Sequence, residues 1–112
     1  EELDEDWDRG AIHEVLISLE PSLPMPGGDL RAEQHYARAV ELSGGVKASP
    51  HVSLATSICI RKQDRARFEQ LLVEALAVDL DASSADRLAN EYAQRKARFL
   101  LAHLDDLFLE EL

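Results

Sequence analysis

The chain has 112 residues, of which 46% are hydrophobic, and it carries a formal net charge of −10. This composition supports one small globular domain and excludes a chain that is disordered throughout. No apolar run approaches the length of a bilayer-spanning helix, and the net negative charge argues against a nucleic-acid surface, which needs a basic face.

The negative charge is concentrated at the two ends of the sequence. Six acids lie within the first eight residues and four within the last eight, whereas residues 9–104 contain 12 acids and 12 bases. Charge runs of this kind are usually solvated. The chain begins without methionine and shows no signal peptide, so we expect a single helical domain over residues 1–112 that forms the C-terminal part of a longer protein.

Five helices are predicted in chain order. The first spans about residues 6–19 and is followed by three prolines and two glycines within residues 20–28, which no helix crosses. The second spans about residues 30–43 and ends on Gly44-Gly45. Glycine suits this position because it adopts the left-handed conformation at a helix end without a Cβ clash.

The third predicted helix begins at Ser49-Pro50, a residue pair that favours a helix start. The fourth begins at Asp64. The fifth begins at residues 83–86, whose spacing fits a capping box, and runs to about Leu109, a length of about 39 Å. No segment alternates with a period of two residues, so the sequence predicts an all-α fold without strands.

The second and fourth helices repeat each other. Four core positions recur 36 residues later: Ala32 as Phe68, Tyr36 as Leu72, Ala39 as Ala75 and Leu42 as Val78. A fixed period of this length is typical of stacked helical hairpins. The third helix has the residue spacing of the first helix in a tetratricopeptide hairpin. The sequence therefore predicts tetratricopeptide-like stacked hairpins, held together by Trp7, Tyr36, Leu72, Ala75, Tyr92 and Phe99.

Two features depart from a regular repeat. The turn after the first helix is longer than usual, and Phe68 stands where the repeat normally has a small residue, so we expect the second hairpin to be splayed there. Two hairpins are also fewer than such arrays usually need. Either further repeats lie outside this chain, or the fifth helix caps the stack, or partner subunits cover the open face.

The sequence offers no arrangement typical of a catalytic or metal site. No two of the four histidines have the one-turn spacing of a helical metal site: His13, His35, His51 and His103. Residues 79–83 resemble the start of a calcium loop but lack its glycine and its final glutamate. Cys59 lies in an apolar setting, which predicts a buried, unreactive thiol. We therefore expect no catalysis, no cofactor and no bound metal.

Charged and apolar groups indicate possible contacts with other proteins. Basic residues cluster within residues 61–67 and 95–98, and solvated helix faces are the alternative reading of both clusters. At the C-terminal end, acids and apolar groups combine in Asp105, Asp106, Leu107 and Phe108. We expect an interface at this end, unless Phe108 folds back onto the chain's own helices.

Several segments resemble the T component of tripartite ATP-independent periplasmic (TRAP) transporters. They are HYARAVELSGG, QDRARFEQLLVEALAVDLDA, RLANEYAQRKARFLLAHLDDLF and, more weakly, DWDRGAIHEVLISLE. The turn Gln63-Asp64-Arg65, the helix start at residues 87–90 and the terminal residues 105–108 carry most of the specificity. The candidate structural motif consists of Trp7, Tyr36, Gly44, Gly45, Gln63, Asp64, Arg65, Arg87 and Asn90.

This resemblance implies a non-catalytic, periplasmic accessory protein, anchored by an N-terminal lipid that lies outside this chain. It also implies binding to the solute-binding P component of the transporter, self-association as a homo-oligomer such as a trimer, and a channel for a hydrophobic ligand. The alternative is a generic cytoplasmic tetratricopeptide scaffold that grips a peptide in its concave groove. An upstream signal peptide ending in a lipid-attachment cysteine would distinguish the two.

Overall fold

The computed structural model describes residues 10–108, so the predictions for Trp7 and Leu109 lie outside the described range. The helices are α1 (Ala11–Leu19), α2 (Gly28–Ser43), α3 (residues 49–62), α4 (Arg65–Leu76), α5 (Arg87–Ala102) and α6 (Leu104–Leu107). Short 3-10 turns, Glu20–Ser22 and Ser84–Asp86, follow α1 and precede α5. No strand occurs between residues 10 and 108, which confirms the all-α prediction.

The helices stack as consecutive antiparallel pairs. Helix α1 packs on α2, α3 packs on α4, and α4 packs on α5, while α3 also contacts α1 and α5. The Cα trace is a slab 16 Å thick, which corresponds to two helix layers separated by about 8–10 Å. The contacts place α1, α3 and α5 side by side in one layer, and α2 and α4 in the other.

Small side chains line the helix contacts. Ala32, Ala39 and Ala75 are buried in α2 and α4, as the repeat pattern predicts. Phe68 is also fully buried, and its ring packs edge-on against Phe108 with ring centroids 5.0 Å apart. The large side chain in this small-residue position is therefore covered by the C-terminal end of the described chain.

Helix α3 contains a π-helical turn that the sequence did not predict. The turn, Ala55–Cys59, lies between the α-helical segments Ser49–Leu54 and Ile60–Lys62. The Thr56 hydroxyl donates to the Val52 carbonyl at 3.0 Å, so a side chain uses a backbone acceptor inside the helix. Cys59 is buried here, and burial raises the pKa of its thiol to about 11, as expected of an unreactive cysteine.

Helix α5 differs from its prediction in length and in the face that it buries. It ends at Ala102, because His103 leaves helical geometry at φ −118° and ψ 25° before the chain resumes as α6. Tyr92 and Phe99, which we expected to hold the stack, are 70% and 61% exposed. The buried face instead consists of Asn90, Ala93, Gln94, Ala97 and Leu100. Small and amide side chains allow closer helix packing there than aromatic rings would.

The segment between α1 and α2 is held by close backbone contact and an ion pair. A Cβ on Gly28 would lie 2.4 Å from the Glu20 carbonyl oxygen, so only glycine fits at this approach. The Arg31 guanidinium binds the buried Glu20 carboxylate and donates to the Pro26 carbonyl at 2.9 Å. The proline-glycine stretch therefore forms an ordered turn that brings α2 back along α1.

Candidate functional site

A cleft opens along the layer formed by the odd-numbered helices. It has a volume of about 660 Å³ and lies between α1, the start of α3 and the residues that lead into α5. Its wall combines small, hydroxyl, amide and charged side chains: Ala11, Glu14, Val15, Ser18, Lys47, Ser49, Ser53, Ala85, Asp86, Ala89 and Asn90.

Hydrogen bonds across the cleft connect its two walls. The Ser49 hydroxyl on α3 donates to the Glu14 carboxylate on α1. Further along the same two helices, the hydroxyl of Ser57, which lies beyond the cleft wall, donates to the Ser18 hydroxyl at 3.3 Å. Serine and glutamate side chains of this kind bind other hydrogen-bonding groups when those are offered. The cleft can therefore accept a polar ligand such as a polypeptide main chain.

The floor of the cleft is set by Asn90, which the sequence analysis assigned to the structural motif. Its side chain is 2% exposed and accepts from the Ala48 backbone N–H at 2.9 Å. Its amide group also donates to the Val46 carbonyl at 2.8 Å. Both partners belong to the turn between α2 and α3. One side chain on α5 thus satisfies two backbone groups of a distant turn, which would otherwise be costly to bury.

Gln94 performs the same task one turn further along α5. Its amide nitrogen lies 3.1 Å from the Ala75 carbonyl and 2.7 Å from the Val78 carbonyl, at the end of α4. Ala75 lies in the last turn of α4 and Val78 in the loop that follows, so Gln94 binds the backbone where the regular hydrogen bonding of the helix ends. Sequence reasoning missed Gln94, although an amide four residues after Asn90 on the same helix face was a signal for it.

The turn after α2, which we call the first corner, uses the two glycines as predicted. Gly44 and Gly45 have φ values of 68° and 78°. The Gly44 N–H donates to the Glu41 carbonyl at 3.2 Å, and the Gly45 N–H donates to the Val40 carbonyl at 3.1 Å. This is the Schellman arrangement, which satisfies the last carbonyls of a helix.

The turn after α3, which we call the second corner, has the same backbone pattern without glycine. Gln63 has φ 57°, its N–H donates to the Ile60 carbonyl at 3.1 Å, and the Asp64 N–H donates to the Cys59 carbonyl at 2.9 Å. The Asp64 side chain then accepts from the Arg67 N–H at 3.2 Å and caps α4. The predicted start of the fourth helix at Asp64 is therefore confirmed.

The structure brings the second corner and the C-terminal motif together. The Gln63 amide donates to the Leu107 carbonyl at 3.2 Å, and Arg65 pairs with Asp105 at 3.3 Å and with Glu69 at 3.2 Å. Residues 63–65 and residues 105–108, which both carry the family resemblance, lie about 40 residues apart in the sequence and contact each other in the structure.

The four expected interface residues differ in their exposure once this contact has formed. Asp105 and Asp106 are exposed, whereas Leu107 is half-buried against the core and Phe108 is buried on Phe68. Phe108 therefore folds back onto the chain's own helices, which was the stated alternative. An interface that uses the two acids stays a prediction.

Arg87, the remaining motif residue, joins the start of α5 to the preceding loop. Its guanidinium binds the Asp81 carboxylate and lies 3.2 Å from the Glu91 carboxylate. Asp79 accepts from the Asp81 N–H at 2.9 Å, so the segment that resembles a calcium loop closes as an ordinary inter-helix turn. The Ser83 hydroxyl donates to the Asp86 carboxylate at 2.8 Å instead of accepting from a backbone N–H, so the predicted capping box does not form.

Tyr36 belongs to a partly buried polar group between α2, α3 and α4. Its hydroxyl lies 2.8 Å from His51 Nδ1 and 3.4 Å from the Glu74 carboxylate. Burial, together with the charge of Glu74, raises the pKa of Tyr36 to about 12. Burial also lowers the pKa of His51, and the nearby Glu74 partly opposes this shift. The hydroxyl and the imidazole are therefore both neutral near pH 7.

The histidines also meet in a way that their sequence spacing did not reveal. His13 Nδ1 on α1 lies 2.7 Å from His35 Nδ1 on α2. Among residues 10–108, however, no three histidine, cysteine, aspartate or glutamate side chains are grouped so that they could hold a metal ion. In the same range, no helix has the length and apolar character that crossing a bilayer requires.

The described residues define a class of protein: an all-helical stack with an open cleft whose wall contains both polar and apolar side chains. The family model of the TRAP transporter T-component matches residues 1–108. The chain belongs to this family, which confirms the resemblance. Members of this family are accessory components of TRAP transporters.

The chain is also similar to part of a longer protein. An uncharacterized protein of Treponema pallidum (strain Nichols) is 28% identical over 106 residues, which cover 93% of this chain and 33% of the relative. The chain thus spans about a third of that relative's length. No solved structure shows a significant match to the chain.

Proposed function

We propose that this chain is the helical body of a non-catalytic scaffold protein that binds the solute-binding P component of a TRAP transporter. The observation that carries the proposal is the family match over residues 1–108. The proposed location is the periplasm, with an N-terminal lipid as the membrane anchor and with self-association as a homo-oligomer. None of these finer features follows from the fold alone, and each rests on the family.

The structure supports a scaffold through the way its helices are fixed. Asn90 and Gln94 bind backbone groups of two different turns, and Arg67 binds Glu33 through two nitrogen atoms at 2.9 and 3.2 Å. Such contacts hold helices at set positions and angles. A surface of fixed shape binds a partner with less loss of conformational entropy than a mobile one.

The test is direct binding between two purified proteins. The full-length protein is mixed with the solute-binding component of a TRAP transporter from the same genome, and the complex is measured by size-exclusion chromatography and native mass spectrometry. We expect a complex whose mass contains both proteins. A solute-binding protein of an ATP-dependent transporter is the matched control. If neither method detects a complex with the TRAP component, the proposal fails.

A peptide in the cleft is the second candidate function. The observation that favours it is the cleft of about 660 Å³, whose wall offers Ser18, Ser49 and Ser53 beside charged groups. The wall also contains apolar side chains such as Val15 and Ala89, so the cleft does not select between a polar and a hydrophobic ligand, and a hydrophobic ligand stays a prediction. Replacing Ser53 with Trp would fill the cleft, whereas Val73→Trp on the exposed side of α4 is a control. If partner binding is unchanged in Ser53→Trp, the cleft is not where the partner binds.

A further inference from the structure

The outer face of α5 exposes large apolar side chains in a regular line. Leu88, Tyr92 and Phe99 are 80%, 70% and 61% exposed. With Leu88 at zero, a turn of 3.6 residues places Tyr92 at about 40° and Phe99 at about 20°, and Arg95 lies at about −20°, beside the apolar residues. The stripe extends over about 16 Å along the helix axis. We call these four residues the outer face of α5.

The rotation of α5 about its axis is fixed, so the stripe cannot turn inward. Asn90 and Gln94 lie on the opposite side of the helix and bind the backbone of the turns after α2 and α4. Rotation would break these buried hydrogen bonds and expose the core residues Ala93 and Ala97. The exposure of the stripe therefore follows from the architecture.

Within residues 10–108, the place where a hairpin partner of α5 would lie is left open. In a stack of hairpins, the next helix packs along the one before it. After Ala102, however, the chain turns back, and Phe108 packs on Phe68 near the start of α4. Within residues 10–108, no element that follows α5 covers its outer face.

The charge around this face is opposite to that of the whole molecule. Helix α5 carries four bases and one acid, Glu91, in a chain with a net charge of −10. Glu91 is already paired with Arg87, whereas Arg95, Lys96 and Arg98 are exposed. The basic residues near the second corner differ, because Arg61 and Lys62 bind Asp29 and Arg67 binds Glu33. The positive charge on α5 is thus available to a partner.

The place of α5 in the stack favours a protein helix as the occupant. Helix α5 lies at the end of its layer among the described residues, and a stack of hairpins continues there with a further helix. A partner helix can place a carboxylate opposite Arg95 and apolar side chains against Leu88 and Phe99. Helices recognise one another in this way through side chains spaced three and four residues apart.

We infer that the outer face of α5 binds an amphipathic helix of another protein, one with an apolar stripe flanked by carboxylates. The bound helix takes the position of the missing hairpin partner. Leu88, Tyr92 and Phe99 supply the apolar contact, and Arg95, Lys96 and Arg98 select an acidic partner over a basic one. This inference does not depend on which component of a transporter contributes the helix.

The test uses two synthetic helical peptides of about four turns that share one leucine stripe. One peptide has glutamate on both sides of the stripe and the other has lysine. Binding to the full-length protein is measured by fluorescence anisotropy at low salt. We expect the glutamate peptide to bind about tenfold more tightly or better, because charge complementarity governs selectivity at such surfaces. The triple variant Arg95→Glu, Lys96→Glu, Arg98→Glu should reverse the preference.

Matched variants locate the binding. Leu88→Glu with Phe99→Glu should abolish peptide binding, whereas Val73→Glu, at an exposed apolar position on α4, should leave it unchanged. Circular dichroism and sedimentation velocity accompany each variant. Equal binding of the two peptides, or binding of neither, overturns the inference.

Two further results would assign the face to another occupant and also overturn the inference. The first is self-association that Leu88→Glu with Phe99→Glu removes, since a second copy would then cover the face. The second is binding to vesicles that contain anionic lipid, lost in the same variant. Failure of the solute-binding component to bind leaves these measurements unaffected, so the two proposals fail separately.

Discussion

The two corners of the molecule have the same backbone hydrogen bonds but different residues. At the first corner, Gly44 adopts φ 68°, and a Cβ built on it meets no atom within 4 Å. At the second corner, Gln63 adopts φ 57°, and its side chain binds the Ile60 and Leu107 carbonyls at 2.7 and 3.2 Å. Glycine serves where only the backbone shape is needed. Glutamine tolerates the strained conformation where its side chain also holds the C-terminal end.

The corners also differ in the source of their stabilisation. The first corner is held from outside, by Asn90 on α5. The second is held by its own residues and by the packing of Phe108 on Phe68, one turn into α4. Substitutions at the two corners test this difference. We begin with the substitution that should lower the free energy of unfolding the most.

The largest effect is expected at the packing that supports the second corner. Phe68 is fully buried, so Phe68→Ala should lower the free energy of unfolding by about 3–5 kcal/mol, because it leaves a cavity beneath Phe108. Urea unfolding followed by circular dichroism measures the loss. Val73→Ala, at an exposed position on the same helix, is the control and should change stability by less than about 0.5 kcal/mol. A comparable loss in both variants would contradict the packing described for Phe68.

The next effect concerns the first corner. Asn90→Ala leaves the buried Ala48 N–H and the Val46 carbonyl without their partner and should cost roughly 2–4 kcal/mol. The adjacent Glu91→Ala, which removes only a surface ion pair, should cost less than about 1 kcal/mol. Thermal or urea unfolding of both variants gives the difference. Equal stability of the two would show that the first corner does not depend on α5.

Glycine at the first corner can be tested for conformation alone. Gly44→Ala introduces no contact, so any loss comes from the left-handed backbone, at about 1–2 kcal/mol. The unfolding free energy of this variant is compared with that of Ala37→Gly, in the exposed middle of α2, where the opposite change should cost roughly 1 kcal/mol. An unchanged stability in Gly44→Ala would mean that the corner relaxes into another turn.

At the second corner, replacement of Gln63 by glycine should cost less stability than replacement by alanine. Gln63→Ala loses the two side-chain hydrogen bonds and keeps the strained backbone, so it should cost about 1 kcal/mol. Gln63→Gly loses the same bonds but relieves the backbone, so its stability should stay within about 0.5 kcal/mol of the parent. Unfolding curves of the three proteins test the order. If Gly is less stable than Ala, the strain assigned to Gln63 is wrong.

The smallest expected effect is a pH dependence of the free energy of unfolding. It comes from His51 on α3, the helix that joins the two corners. Burial lowers the pKa of His51 below 6.5, so the unfolded chain binds a proton more readily than the folded one. Stability is therefore complete above about pH 6.5 and declines as the pH falls through that value towards the folded-state pKa. His51→Gln should flatten this decline, whereas Tyr36→Phe keeps the imidazole buried and should retain it. Urea unfolding between about pH 7.5 and pH 5.5 decides, and an equal slope in parent and His51→Gln would refute the assignment.

The sequence predicted those helix boundaries that local chemistry controls. Gly44-Gly45, Ser49-Pro50 and Asp64 each act within a few residues, and the structure places the boundaries there. The end of α5 was not predictable in this way. No glycine or proline stands near His103, and the helix stops where Phe108 reaches the pocket beside Phe68, which depends on the tertiary structure.

The face of α5 and the residues of the candidate site show the same limit. Side-chain size favoured Tyr92 and Phe99 as core residues, but close packing buried Ala93 and Ala97 between them. Asn90 was identified only by family resemblance, while the partners of Gln94 and the contact of His13 with His35 depend on which helices become neighbours. A single sequence does not contain that information in local form.

The bond from the Ala48 amide to Asn90 joins residues 42 positions apart in the chain. The turn after α2 is complete in sequence long before α5 has been synthesised, yet its amide stays unprotected until α5 docks. Hydrogen exchange at the Ala48 amide therefore reports when α5 docks. We therefore expect the first corner to be accessible to chaperones and proteases in the growing chain until α5 has been synthesised and docks.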